Sequence, residues 1–161
     1  MTLYIAEAIK KIKDLDDRKQ VILRDERQKC MSSYQTEADK IDTGYDFMTV
    51  RKDIEHINNE IMKLKHALNV ANSTVVVSEF ELTIGECLIY MAQLNNERSV
   101  LEIMARSSPK SRHTVFNGAI EYTVINYDTN ECKNRLENTK ALITRLQLAI
   151  DRTNLNTTIN V

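Results

Sequence analysis

Few residues in this chain are equipped for chemistry by both type and spacing. Asp53, Glu55, His56 and Glu60 stand close together. Such a carboxylate–imidazole run is what a helical bundle uses to hold two metal ions, taking an E-x-x-H turn from two helices with every ligand aimed inward. Here Ile54 and Ile57 occupy the inward seam, which turns Asp53 and His56 away, and the corresponding stretch of the last helix has no His. No metal or cofactor is therefore expected. Glu7 and Glu86 could form an acidic pair. Thr83-x-x-Glu86 has the simpler meaning of a capping box, with Glu7 doing the same at the first helix. Asn69, Asn72, Asp151 and Asn154 fall near helix C-termini. There Asn can close a helix in left-handed geometry, or hydrogen-bond an adjoining strand; a ligand site is the alternative. Arg106, Lys110, Arg112 and His113 gather around the Ser-rich stretch SSPKSRH. They could meet phosphate or an acidic partner, but a solvated basic loop explains them.

The remaining chemistry-bearing types add nothing to these. Cys30, Cys87 and Cys132 are odd in number, widely spaced and without a CxxC pair, as reduced thiols of a cytoplasmic protein would be. No Ser-His-Asp or Cys-His order is visible. Phosphate-cradling loops need more than the three Gly present. No catalytic residue is assigned.

The elements that must position these residues are helices. The 161 residues suit one domain, 42% are hydrophobic, and three Gly and one Pro leave long segments unbroken. Ile5, Ala8, Ile9, Ile12, Leu15, Ile22 and Leu23 recur at helical steps and predict an amphipathic helix from Thr2 to Cys30. Residues 31–46 read as a loop. Val50, Ile54, Ile57, Ile61, Leu64, Leu68 and Ala71 step alternately by four and three, a heptad seam that predicts a second helix from Phe47 to Asn72. The β-branched run Thr74–Val77 predicts a strand. A third helix is expected from Ile84 to Arg106, with Cys87, Leu88, Met91, Leu94 and Leu101 inward. Residues 107–113 read as a loop broken by Pro109. Asn117-Gly118 is a type I′ hairpin signal, and Ile120, Tyr122 and Val124 alternate as in a half-buried strand. A fourth helix is expected from Tyr127 to Asn154, followed by a patternless tail.

KLKHALNVANSTV at residues 63–75 is echoed by RLQLAIDRTNLNT at 145–157. At one offset Ile5, Glu7, Ile12 and Leu15 meet Ile84, Glu86, Met91 and Leu94. At another, Ile54, Ile61, Asn69 and Asn72 meet Leu136, Ile143, Asp151 and Asn154. Matches at heptad core positions are cheap; those of Glu7, Asn69 and Asn72 are not. The chain thus reads as a duplicated helical hairpin with halves 1–72 and 80–154. The fold class expected is mainly α: four long antiparallel helices in a single bundle domain, with short β segments between helices.

I-A-E-A-I, L-N-V-A-N-S-T, L-T-I-G-E-C-L and I-D-R-T-N together resemble the septicolysin-like family of small bacterial proteins. The resemblance covers nearly the whole chain and implies a helical protein carrying some strand between helices. Where family members carry Arg in the first and third helices, this chain has Ile12 and Met91. The family name implies a membrane-active, cytolysin-like alternative. Trp is absent, so a Trp-rich membrane-binding loop is not available. No apolar run is long enough to span a bilayer. With a net charge of -1, neither nucleic acid nor a membrane is expected as partner. The function expected is non-catalytic: a cytoplasmic bundle acting through protein contacts as a homo-oligomer, with another protein as a further possible partner. A small-ligand or enzymatic site at the bundle ends is the remaining alternative.

Overall fold

In a computed structural model that describes every residue except Asn117, the chain is mainly helical, at 67%. Its elements in order are β1 (Thr2–Tyr4), α1 (Ile5–Lys29), α2 (Phe47–Thr74), β2 (Val76–Val77), β3 (Leu82–Thr83), α3 (Ile84–Arg106), β4 (Lys110–Thr114), β5 (Ile120–Val124), α4 (Thr129–Asn156) and β6 (Thr158–Asn160), with a 3-10 turn at Glu37–Asp39. The strands form antiparallel pairs: β1 with β6, β2 with β3, β4 with β5. The chain divides into two compact units, one of Met1–Thr74 with Thr153–Val161, the other of Val75–Arg152. The tail thus joins the first unit.

In the first unit β1 and β6 pair with Leu3 opposite Ile159. The Ile5 N–H extends this ladder to the Thr157 carbonyl at 2.9 Å. The expected first helix consequently loses residues 2–4 to a strand, and the patternless tail becomes that strand's partner. Tyr4, extended at φ −66° and ψ 150°, starts α1. Its N–H donates to Glu7 Oε2 at 2.9 Å. Asp46 starts α2 by accepting from the Met48 and Thr49 N–H groups. Ile5, Ala8, Ile54, Ile57, Ile61, Leu64, Ala71 and Ile159 are buried. Polar side chains tie α1 to α2 along their length: Glu26 to Arg51, Lys19 to Asn58, and Lys11 to Glu60.

In the second unit β2 and β3 pair with Val77 opposite Leu82. The Ile84 N–H donates to the Val75 carbonyl at 2.9 Å. The strand expected from Thr74 begins only at Val76, because α2 runs on through Thr74, whose hydroxyl turns back to the Val70 carbonyl at 2.8 Å. Thr83 caps α3 as its spacing predicts. The Glu86 N–H donates to its hydroxyl, and the Thr83 N–H donates to Glu86 Oε2 at 2.8 Å. Asp128 starts α4 by accepting from the Asn130 N–H at 2.7 Å, two residues later than the expected start at Tyr127. Val77, Ile84, Cys87, Leu94, Cys132, Leu146, Ala149 and Ile150 are buried, with Thr139 among them. Arg135–Glu97 and Lys140–Glu102 ion pairs link α4 to α3. Among the described residues no helix is long and apolar enough to cross a membrane.

Candidate functional site

Among the polar residues picked out by spacing, Glu7 and Glu86 close their own helices at the N-terminus. Glu7 and Glu86 lie in different units, each on the first turn of its helix. The Thr83 N–H and hydroxyl hold the Glu86 carboxyl below its ordinary range. Asn69 and Asn72 sit inside α2, and Asp151 and Asn154 inside α4. None of them closes a helix in left-handed geometry, since Glu81 alone among described non-Gly residues has positive φ. The helices continue past them, with Ser73 and Thr74 hydroxyls bonding the Val70 carbonyl in α2 and α4 running on to Asn156, one residue before β6. Asp151 accepts from Gln147. Asn154 Oδ1 is buried without a hydrogen-bond partner. His56 pairs with Glu60 on the same exposed helix face at 3.0 Å.

The basic cluster is where structure and sequence reading differ most. Arg106 ends α3, but Lys110, Arg112 and His113 form part of strand β4 rather than a loop. Pro109 blocks a helix there. It does not block a strand that starts after it, with β5 available to satisfy its backbone groups. Lys110 faces Val124, Arg112 faces Tyr122 and His113 faces Glu121. The Lys110 ammonium lies 4.5 Å from the centre of the Tyr122 ring, a cation–π contact. His113 Nε2 lies 3.6 Å from Glu121. The strand expected to be half-buried is not: every residue of β4 and β5 is exposed. Ile120 is 49%, Tyr122 54% and Val124 55% exposed, and Phe116 at the tip is fully so. Alternation was legible. That the apolar side stays about half exposed was not. The type I′ assignment to Asn117-Gly118 falls partly outside the described residues. The loop closes through Val115 N–H to the Ala119 carbonyl at 2.9 Å, with Gly118 at φ 79°.

A second cluster escaped the sequence reading. In the first unit the Tyr45 hydroxyl donates to Glu26 Oε1 at 2.9 Å, and Arg51 bonds the other carboxylate oxygen. Hydrogen bonds from Tyr45, then Arg51, hold Glu26 below the ordinary carboxylate range. Burial, then the bond to Glu26, pushes Tyr45 up. Glu26 is thus a satisfied anion and a poor base, and Tyr45 stays a neutral donor. The trio fastens residues 31–46 onto α1 and α2. Beside it lies a depression of about 500 Å³ bordered by Lys29, Cys30, Ser32, Lys40, Ile41 and Tyr45. The available signal was Glu26 falling in the three-four rhythm of α1, where an apolar residue belongs. In the second unit Arg145 pairs with Glu79 and stacks 5.2 Å from the Phe80 ring centre.

Fold and surface together define a mainly helical protein with short antiparallel strand pairs and one fully exposed hairpin. It is similar in fold to the crystal structure of a functionally unknown conserved protein from Corynebacterium diphtheriae. The TM-score is 0.75 at 19% identity, over 99% of this chain and 100% of that one. No family model and no curated protein matches the chain.

Proposed function

We propose that this protein acts through protein–protein contacts and self-associates, with no reaction of its own. The observation that carries this reading is the β4–β5 hairpin. An isolated two-stranded hairpin is marginal in water, yet this one keeps Ile120, Tyr122 and Val124 about half exposed along one strand. A contiguous apolar stripe of that kind marks a contact surface. Static light scattering tests the reading: a mass above 18.6 kDa that rises with concentration is expected, and an 18.6 kDa species at every concentration overturns it.

The frame that carries the hairpin is, on this proposal, a duplicated antiparallel helical hairpin of the septicolysin-like type. The support lies in details that share the same two offsets. Ile5 N–H to Thr157 repeats as Ile84 N–H to Val75. Leu3 opposite Ile159 repeats as Leu82 opposite Val77. The Glu7 and Glu86 caps correspond, as do the Asp46–Met48 and Asp128–Asn130 bonds. Buried positions follow: Ile5 with Ile84, Ala8 with Cys87, Leu64 with Leu146, Val77 with Ile159. Helical periodicity alone accounts for matching seams, but not for matching strand registers and caps.

A further inference from the structure

We infer that two copies of this chain join through the free edge of β5, running antiparallel about Tyr122, to make a continuous sheet in the order β4-β5-β5-β4. The inference rests on the self-association proposed above and names its surface. It begins with the backbone. Ile125 N–H donates to the Pro109 carbonyl and Val115 N–H to the Ala119 carbonyl, bracketing the β4–β5 ladder at both ends. Antiparallel bonds recur every second residue. The facing pairs Ser111–Thr123 and His113–Glu121 therefore exchange the bonds inside the hairpin. The N–H and C=O groups of Ile120, Tyr122 and Val124 point away from β4, and among the described residues no other strand pairs with them.

Charge then decides which edge of the hairpin is open and what it accepts. Natural sheets blunt exposed edges with cations, which stops strands adding to them. The β4 edge carries Lys110, Arg112 and His113 and is blunted in this way. A second β4 placed against it would set Arg112 opposite Arg112, and like charges directly opposite are destabilising. The β5 edge, IEYTV, has neither Lys, Arg nor Pro. Paired with its own copy about Tyr122, it sets Ile120 opposite Val124 and Glu121 opposite Thr123, with no like-charge pair. The cations of the two β4 strands are then three strand spacings apart, about 14 Å. That exceeds a screening length of about 8 Å in physiological salt. The register also gathers Ile120, Tyr122 and Val124 of both copies on one face, flanked by Lys110 and Arg112 on either side. A strand pair of five residues covers less than the roughly 1,200 Å² of a standard interface, so the dimer is expected to be a weak, concentration-dependent one.

Sedimentation velocity of the full chain across a concentration series, with two variants, tests this. The parent should move from monomer to dimer. Tyr122→Lys, which puts a charge opposite its own copy, should weaken association by roughly tenfold or more, while Arg112→Ala on the far edge should not. In a Cys30→Ser background, Tyr122→Cys should form a disulfide-linked dimer on mild oxidation, because a hydrogen-bonded pair holds its Cα atoms about 5.5 Å apart; Ser111→Cys should not. If Tyr122→Lys, with unchanged circular dichroism, associates as the parent does, or Tyr122→Cys fails to cross-link, the β5 edge is not the joint, although self-association stands. If the parent stays monomeric throughout, both readings fall, and an extended segment of another protein becomes the occupant to seek. If Tyr122→Lys misfolds, the cross-linking pair alone decides.

Discussion

Leu64 in α2 and Leu146 in α4, which the proposed duplication pairs, are 1% and 0% exposed. Truncating either to Ala removes the equivalent of about three methylenes from a site that water does not reach, a transfer loss of about 2.4 kcal/mol at roughly 0.8 per group. The incompletely closed cavity adds to this. The measured range for such changes, about 2.7–5 kcal/mol, makes about 3 kcal/mol a fair expectation for each. For a chain of 161 residues, unfolding entropy of about 2.1 cal/mol/K per residue converts this to a drop in Tm of about 9 °C. Leu148→Ala is the control. Leu148 is 51% exposed two residues along the same helix, and its truncation should cost no more than about 0.5 kcal/mol. Far-UV circular dichroism, with urea titration beside the thermal scan, reads all three variants. A Leu146→Ala shift no larger than that of Leu148→Ala would refute the assignment of the buried face of α4. A Leu64→Ala loss differing from Leu146→Ala by more than about 2 kcal/mol would count against the duplication, because copies of one hairpin should pack the same slot alike.

Three further outcomes follow from the polar contacts and thiols. Glu26, Asp46 and Glu86 all have folded-state values below their ordinary 4.5, 3.8 and 4.5. Their stabilising contribution is therefore present above those ordinary values and lost as pH falls through the lower folded ones. Tm should hold between pH 7 and about 5 and fall below about pH 4.5, and a Glu86→Gln variant should lose less on acidification than the parent; a parent Tm unchanged at pH 3 would contradict this. Thr83→Ala removes the hydroxyl that accepts the Glu86 N–H at 3.2 Å and should cost about 1 kcal/mol, read by urea unfolding, with Thr83→Ser restoring most of it. Iodoacetamide at pH 8 followed by mass spectrometry should modify exposed Cys30 rapidly. Cys87, fully buried and with its thiol pushed up by burial, should react only on unfolding; equal rates would show that α3 opens readily.

The long helices were legible because each carries its own periodic signal over 23 to 28 residues. α3 even announces its first residue through Thr83 and Glu86. β1 and β6 were not legible, for a physical reason. Leu3 and Ile159 are 156 residues apart in sequence, and neither three-residue strand is long enough to display a period. Only their pairing makes them strands. The Glu26–Tyr45–Arg51 trio was missed for a related reason: a polar residue in an apolar stripe looks like an imperfection until its partners, 19 and 25 residues away, are known.

The hairpin is a different case, because there the sequence pattern matches the strand but not its exposure. Alternation at Ile120, Tyr122 and Val124 does place those side chains on one face, and the pairing with β4 agrees. The pattern predicts only an apolar face. It carries no mark of whether the cover comes from the same chain. In α2 the seam of Ile54, Ile57, Ile61 and Leu64 is buried, whereas Ile120, Tyr122 and Val124 remain near half exposed. On the proposed self-association, the exposed stripe is the one a second copy would cover. In the proposed pairing, the cations confined to β4 beside the uncharged edge residues of β5 distinguish the side that would receive a second chain from the side that would repel one.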